Sequence, residues 1–418
     1  MTANNTVNAD TSVLSAFAIP DAVRDILARF DAAGLEAFCV GGCVRDALRG
    51  TAPHDWDLCT AALPGQTLAL FSDKPTLTVG MKHGTVTVIW DGEPVEITTY
   101  RCEGAYIGHR TPSSVTFTPS LYEDCQRRDF TVNALAYHPA KGLMDFFGGK
   151  EDLMQGMLRC VGDPVERFDE DALRILRALR FASVLDMEIT PETASALHAC
   201  APYLADISGE RIYAELRRTL NGVRAASLLA DYADVIGVCI PPLTACKEHR
   251  EALVQAFLLC TADRTRLAAA LYLCGITDAD RVRDALSALP CDRAFLDAVI
   301  TLVRDAALPP PLSRPAMRRA LSQAAEEQLK DRLCLHAALF PEDKEACGRA
   351  AVLCRAVIEA GDVTQLSALA VTGRDIAACG IRGRAIGQML QMLLEAVMDD
   401  RAENTKDALI AYAKAHCL

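Results

Sequence analysis

Four short segments of the chain hold residues whose types and spacing suit chemistry on a phosphorylated substrate. In His54-Asp55-Trp56-Asp57-Leu58, an extended strand would turn Asp55 and Asp57 to one side and Trp56 to the other. Carboxylates so close repel unless a cation lies between them, and Mg2+ suits such a pair because it keeps waters and accepts phosphate oxygens. Alone, Asp-x-Asp is more often an incidental turn. Upstream, Cys39-Val-Gly-Gly-Cys-Val-Arg-Asp runs a strand into Gly41-Gly42 and opens a helix. Such glycines let the backbone approach a bulky anion, the helix start offers free N–H groups, and Arg45 lies one turn in. A tight strand-to-helix turn is the plainer alternative.

The third segment is Arg127-Arg128-Asp129-Phe-Thr-Val-Asn133. Read as a helical turn, it puts Asp129 and Asn133 on one face. Arg128 can neutralise phosphate and Asp129 can accept from a ribose hydroxyl; a surface ion pair is the bland reading. The fourth, Glu166 to Ala182, reads as a helix with Asp171 and Arg174 three apart and Arg177 and Arg180 continuing the step. A salt-bridged amphipathic helix would look the same. An Asp acceptor beside an Arg donor nevertheless matches an edge that cytosine and adenine share, an exocyclic amino donor next to a ring-nitrogen acceptor. Uracil and guanine present the reverse.

The elements that must position these groups change character along the chain. A helix is expected over 13–34, with a break at Pro20. Strands follow near 37–40, 56–59, 85–90 and 95–100, the last two joined by the hairpin signal Asp91-Gly92-Glu93-Pro94. Beyond Gly148-Gly149, and above all from Glu170, the apolar spacing is helical. At 418 residues the chain is too long for one core. The sequence therefore predicts an α+β fold, a small mixed head followed by an all-α remainder.

Lys and Arg number 43 against 55 Asp and Glu, a net charge of −12, which excludes a polybasic binder but not a local basic face. The 17 cysteines include no Cys-x-x-Cys pair and fit no zinc-finger spacing, so they are expected as small hydrophobes in a reducing cytoplasm. The polar start, 1–12, lacks the features of a signal peptide, and no apolar run is long enough to span a membrane. No obligate protein partner is evident.

Taken together and in this order, the four segments resemble the bacterial tRNA nucleotidyltransferases, the class II CCA-adding enzymes of the tRNA nucleotidyltransferase and poly(A) polymerase family. Lys82-His-Gly-Thr-Val-Thr-Val88, Glu96-Ile-Thr-Thr-Tyr-Arg101 and Val161-Gly-Asp-Pro164 also match. The likeness is dense over about 35–220 and thin afterwards. It implies a polymerase-β-like nucleotidyltransferase head at 1–147, a helical neck with the base-reading residues at 148–222, a helical body at 223–340 and a tRNA-binding helical tail at 341–418. It implies template-independent addition of C, C and A to the 3′ end of tRNA from CTP and ATP. Asp55 and Asp57 would be catalytic and hold Mg2+. Gly42, Arg45 and Arg128 would take the triphosphate, Asp129 would check the ribose, and Gly41 and Asn133 would also bind the nucleotide. Asp171 and Arg174 would read the base, supported by Arg177 and Arg180. Glu96 is either a third carboxylate or a solvent-facing strand residue.

The chain departs from the family at several points. In the loop Glu103 to Pro112 the family usually has Asp where this chain has Gly108, which bears on the switch from C to A. In 266–275, Tyr272 and Leu273 stand where some relatives carry the His-Asp pair of a metal-dependent phosphohydrolase, so that activity is expected to be absent. The segment Thr372 to Gly387 is similar to the family's tail motif but has Gly383-Arg384 where Gly-Pro is usual. The alternatives are a partial (A-adding or CC-adding) enzyme, a poly(A) polymerase, or a tRNA-binding protein without catalysis. The last is disfavoured because both Asp55 and Asp57 are present.

Overall fold

The computed structural model describes residues 19–104 and 106–416. They form two compact units, one running to Thr244 and taking back Ala288–Pro290, the other holding Ala245–Ser287 and the chain from Cys291.

The first unit opens with α1 (Asp21–Ala32) directly after Pro20; the first part of the helix expected over 13–34 lies outside the described residues. Val23, Ile26, Leu27 and Phe30 recur at helical spacing and are all buried. Beneath them lies a seven-stranded mixed sheet. Its strands are β1 (Ala37–Val40), β2 (Asp57–Thr60), β3 (Thr76–Leu77), β4 (Thr85–Trp90), β5 (Glu93–Thr99), β10 (Ala136–His138) and β11 (Gly142–Met144), in the order β11-β10-β1-β2-β5-β4-β3. Alternate residues of β1 enter different cores: Ala37 and Cys39 meet α1, Phe71 and Trp90, whereas Phe38 and Val40 meet Tyr100, Leu121 and Cys125. Both faces of the central strands are covered, so their side chains stay fixed.

The hairpin expected between β4 and β5 is tighter than its four-residue signal. Trp90 pairs with Glu93, leaving Asp91-Gly92 as a two-residue turn with φ of 52° and 91°. Positive φ at both turn residues matches the twist of the flanking strands. Between β5 and β10 the chain makes an excursion. β6 (Arg101–Glu103) pairs with β9 (Val115–Phe117), and within it β7 (Tyr106–Ile107) pairs with β8 (Thr111–Pro112). This is the loop in which Gly108 departs from the family.

Among the head's short helices are α2 (Gly42–Leu48) and α3 (Leu121–Gln126), besides one at Pro64–Leu70. The single helix expected over 166–182 is two helices, α4 (Pro164–Glu170) and α5 (Leu173–Leu185). Asp171 ends α4 in an extended conformation, φ −135° and ψ 101°, and Ala172 starts α5. The break has a local cause. The Asp171 carboxylate accepts from the Leu173 N–H at 3.2 Å, a bond that competes with continuing the helix. Alongside α5 lies α6 (Gly209–Leu220). Just after it, a Cβ on Gly222 would stand 2.2 to 2.5 Å from Ser183 atoms, so only glycine permits this approach.

The second unit is helical. Tyr272, on the helix Asp263–Leu273, faces the Phe340 ring at 6.1 Å. In the tail, Thr372 caps Gly373–Ala378, and Gly383 at φ 62° starts the helix Arg384–Met398. Leu393, Leu394 and Val397 of that helix pack with Ile376 and Leu409.

Candidate active site

The first unit encloses a cavity of about 620 Å³ whose lining includes nearly all the residues singled out in the sequence: Gly41, Gly42, Arg45, Asp57, Arg128, Asp129, Asn133, Asp171, Arg174, Arg177 and Arg180. Nine arginines line it against four carboxylates, so the net acidity of the chain is reversed here. A concave site of this sign suits a polyanion.

Gly41 is required twice over. Its φ of 80° lies in the left-handed region, and a Cβ there would meet Arg128 Nη1 at 3.3 Å. Its N–H donates to Leu135 O at 3.0 Å, tying the end of β1 to the segment before β10. One turn on, Arg45 is buried and held by Asp46 at 2.9 and 3.0 Å and by Asn133 Oδ1 at 2.6 Å. Asn133 also donates to Asp129 Oδ1 at 3.0 Å, and Arg177 donates twice to Asp129 Oδ2, at 2.8 and 2.5 Å. The expected helical turn linking Asp129 and Asn133 is a short 3-10 turn, Thr131–Asn133, with Asp129 outside it; the two side chains meet all the same. Arg45, Asn133, Asp129 and Arg177 thus form one chain of hydrogen bonds.

Asp129 also accepts from the Phe130 N–H at 2.8 Å, so four donors occupy its carboxylate. Burial would raise its pKa, but Arg177 together with the Asn133 bond overrides burial and holds it at about 2. Access of a ribose hydroxyl to Asp129 therefore requires one donor to yield.

On the metal side, Asp57 opens β2 and Asp55 lies two residues before it, outside the strand. The expectation of a shared strand face is corrected to that extent, and Asp55, unlike Asp57, is not part of the cavity lining. Glu96 is the partner of Asp57 on the parallel neighbour β5, so the two point to the same side. Burial, then Glu96 and Asp55, raise the Asp57 pKa, while Arg128 opposes them. Among the described residues no three His, Cys, Asp or Glu groups converge closely enough to hold a metal by themselves. Two mutually repelling carboxylates that still need ligands fit a divalent ion completed by water and phosphate oxygens.

Asp171 and Arg174, expected to read the base, do not bond through their side chains. Asp171 Oδ2 lies 3.1 Å from Arg211 Nη2. Arg174 donates to Arg167 O at 3.0 Å, to Arg127 O at 2.9 Å and to the Glu170 carboxylate. Arg180 Nε lies 2.9 Å from Glu215 Oε2, and burial lowers the Arg180 pKa to about 10, well above neutrality.

Among the residues around the site that the sequence reading did not assign to it, three stand out. Asp124 is fully buried and pairs with Arg127 at 2.7 Å and Arg128 at 3.0 Å. Arg211 comes from α6, 40 positions from its partner. Phe181 lies under three guanidinium groups, those of Arg45 and Arg177 at 5.3 Å and Arg180 at 4.1 Å from its centroid. Phe181 carried a signal, as an aromatic ending the run of arginines in α5, and Asp124 another, three and four positions before Arg127 and Arg128.

This fold and cavity define a nucleotidyltransferase head. Residues 37–159 match the poly A polymerase head domain, and 186–233 match a probable RNA-binding region of polymerase A. The CCA-adding enzyme of Limosilactobacillus fermentum is 34% identical over 395 residues, covering 93% of this chain and 95% of that one. That of Limosilactobacillus reuteri is 44% identical over 215 residues, 51% of this chain. The solved structure of the Bacillus stearothermophilus CCA-adding enzyme in complex with CTP superposes with a TM-score of 0.80 at 30% identity, covering 94% of this chain and 96% of that one. The chain belongs to the CCA-adding enzymes.

Proposed function

We propose the following division of labour for a protein that, as a member of this family, is a tRNA nucleotidyltransferase adding C, C and A to tRNA 3′ ends from CTP and ATP. The observation that carries it is that one cavity holds both Asp57 and the base-end residues Asp171 and Arg174, so a single nucleotide can span them. The Gly41-Gly42 backbone, Arg45 and Arg128 bind the triphosphate. Asn133 orients Arg45 and, with Arg177, orients Asp129 toward the sugar. Asp171 accepts from the amino group of C or A, and Arg174 donates to the adjacent ring nitrogen after giving up a backbone acceptor. Arg177 and Arg180 support that pocket.

The family uses a divalent metal. We assign Mg2+, held by Asp55 and Asp57; when bound it would activate the tRNA 3′-hydroxyl and stabilise the pyrophosphate that leaves. Glu96, beside Asp57, is a candidate third ligand.

We further assign the head to 1–147, the neck to 148–222, the body to 223–340 and the tail to 341–418. Arg374, Arg382 and Arg384 are exposed around the start of a tail helix, which suits tRNA phosphates. No described helix is long and apolar enough to cross a membrane, and the 16 described cysteines are free thiols, in keeping with the cytoplasm. One experiment tests the reading. The protein is incubated with tRNA ending at the discriminator base and CTP, ATP or both, and the products are sequenced. C-C-A ends only when both are supplied are expected; A or C tracts would reject the reading.

A further inference from the structure

The second unit brings together two cysteines that the sequence presents only as small hydrophobes. Cys246 Sγ and Cys274 Sγ lie 3.5 Å apart, although the residues are 28 positions apart in the chain. Cys246 is fully buried in the 3-10 segment Pro241–His249, and Cys274 is half-buried directly after the helix Asp263–Leu273. A disulfide holds its sulfurs at about 2 Å, so the pair has roughly 1.5 Å to close. The chain around Cys274 can yield that distance. Cys274 ends its helix, and the next residue, Gly275, has φ of 79° with open space where a Cβ would stand.

The two thiols are unequal. The hydrogen bond from Cys246 lowers the Cys274 pKa, against burial and the nearby Glu248 carboxylate; the same bond, with burial, raises that of Cys246. Cys274 is therefore the better thiolate and, being half-buried, the sulfur that a small oxidant reaches. The head differs. Cys39, Cys43, Cys59 and Cys125 are buried around its sheet, and burial pushes up each thiol, that of Cys43 to about 11 and that of Cys125 to about 12. Among the described residues no cysteine lines the catalytic cavity. The nearest rival is Cys334, whose pKa is lowered by its bond with Cys260. Its S–H donates to Leu259 O at 3.0 Å, which favours the protonated form.

We propose that Cys246 and Cys274 form an oxidation site, at which a hydroperoxide converts the two thiols to a disulfide ahead of the thiols of the head. The Cys274 thiolate attacks one oxygen of hydrogen peroxide and the O–O bond breaks. The departing hydroxide takes up the proton that Cys274 released and leaves as water, and Cys274 becomes a sulfenic acid. The Cys246 sulfur then gives up its proton and attacks the Cys274 sulfur. The S–O bond breaks, and hydroxide takes that proton as a second water. The two sulfurs lose two electrons and the peroxide gains them. In a reducing compartment the bond is transient, since exchange with a small thiol restores both cysteines. While it lasts it ties the segment where the second unit begins, at Ala245, to the end of the helix Asp263–Leu273. It therefore restrains openings that would separate them.

The test uses the full-length protein, fully reduced and then treated with hydrogen peroxide in modest excess. Remaining thiols are blocked with a maleimide in denaturant, and the peptides are mapped by mass. The expected product is a linked peptide pair joining Cys246 to Cys274, released by dithiothreitol, with Cys39, Cys43, Cys59 and Cys125 recovered as maleimide adducts. Amide exchange over Asp263–Leu273 should slow by about tenfold or more in the oxidised protein. In peroxide-treated Cys246→Ser it should stay at the reduced rate. Where that buried substitution prevents folding, Cys274→Ser, at the half-buried position, gives the same reading. Recovery of both cysteines as maleimide adducts, of Cys274 as a sulfinic acid, or of a Cys260–Cys334 link in place of this one overturns the oxidation site, as does oxidation of the head thiols first. A link that leaves the exchange rate unchanged overturns the restraint.

Discussion

Asp171 is bonded at 3.1 Å by Arg211, a residue of α6, and has no side-chain bond to Arg174, three positions away. Arg174 is meanwhile turned onto Glu170 and two backbone carbonyls. The pair proposed to read the base is thus assembled from separately anchored parts. Arg211 and the Leu173 N–H fix the acceptor, and the end of α4 fixes the donor.

Asp171→Ala should therefore lower kcat/KM for both CTP and ATP and erode discrimination against UTP, because one carboxylate serves both bases. A charged hydrogen bond contributes about 1.5 to 3 kcal/mol, and a mismatched base also leaves a buried group unpaired. Wild-type discrimination against UTP and GTP of several hundredfold is expected at roughly these magnitudes. Measuring kcat/KM for all four nucleotides checks this. A CTP-to-UTP ratio that survives the substitution would show that Asp171 bridges helices and reads nothing.

Asp57→Ala or Asp55→Ala should abolish addition of both C and A while leaving tRNA binding intact. Asp57 has its pKa raised by burial and by Glu96 and Asp55, so removing one carboxylate relieves repulsion. Without metal, the thermal transition should hold or rise. Near-normal turnover in either variant with Mg2+ would sink the assignment, and Asp55, outside the cavity lining, is the more exposed to that outcome.

How much of this was legible depends on the range of the interaction. Gly41-Gly42, the period-2 pattern of β4 and the spacing of the arginines are local, and the sequence displays them. The break at Asp171 was not legible: neither Gly nor Pro marks it, and it arises from a side chain capping its own helix start. Arg211 meets Asp171, 40 positions away, only through tertiary packing, and a lone Arg on an amphipathic helix has the appearance of a solvated residue; Asp124 has its partners within one turn, at Arg127 and Arg128, but that spacing alone reads as a surface ion pair. The two- and three-residue strands β3, β6 and β11 are too short to show any alternation.

By the family resemblance, Tyr272 and Leu273 take the positions of the His and Asp that a phosphohydrolase would need; leucine has no donor atom, and the Tyr272 ring packs on Phe340. Purified protein should neither open 2′,3′-cyclic nucleotides to phosphomonoesters nor release phosphate from a phosphomonoester with any added divalent ion. Metal-stimulated formation of either product that co-purifies with nucleotidyl transfer would overturn this.

Asp129 links stability to pH. Its folded pKa of about 2 lies below the ordinary 3.8, so its contribution is present above about pH 4 and is lost as pH falls toward 2. That difference corresponds to about 2 kcal/mol at neutrality. Asp129→Asn removes the charge that pairs with Arg177 and should lower Tm by several degrees at pH 7, with the gap narrowing below pH 4. Melting both proteins across that range decides it; a gap that is constant from pH 7 to pH 3 would mean that Asp129 acts through shape and not charge.

Phe181 offers a different kind of test, because it has no polar group of its own. Its ring lies 5.3 Å from the guanidinium carbons of Arg45 and Arg177 and 4.1 Å from that of Arg180, and its edge meets Phe130 at 5.7 Å. Three cations so close repel one another, and the electron-rich face of the ring offsets part of that repulsion; each such contact contributes about 0.5 to 2 kcal/mol. Phe181→Leu keeps the apolar volume and removes the face. Arg45, assigned to the triphosphate, and Arg177 and Arg180, assigned to the base pocket, should then lose their fixed positions together. KM for CTP and ATP should rise in parallel, by about tenfold if close to 1.4 kcal/mol of positioning is lost, with a smaller change in kcat. The CTP-to-UTP ratio should stay near the wild-type value, since Asp171 is held by Arg211 and the Leu173 N–H. Steady-state kinetics with each nucleotide distinguishes the outcomes. A KM change below threefold would make Phe181 ordinary core packing, whereas a shift in base selectivity would mean that the ring orders the reading end of the cavity as well as the cationic cluster.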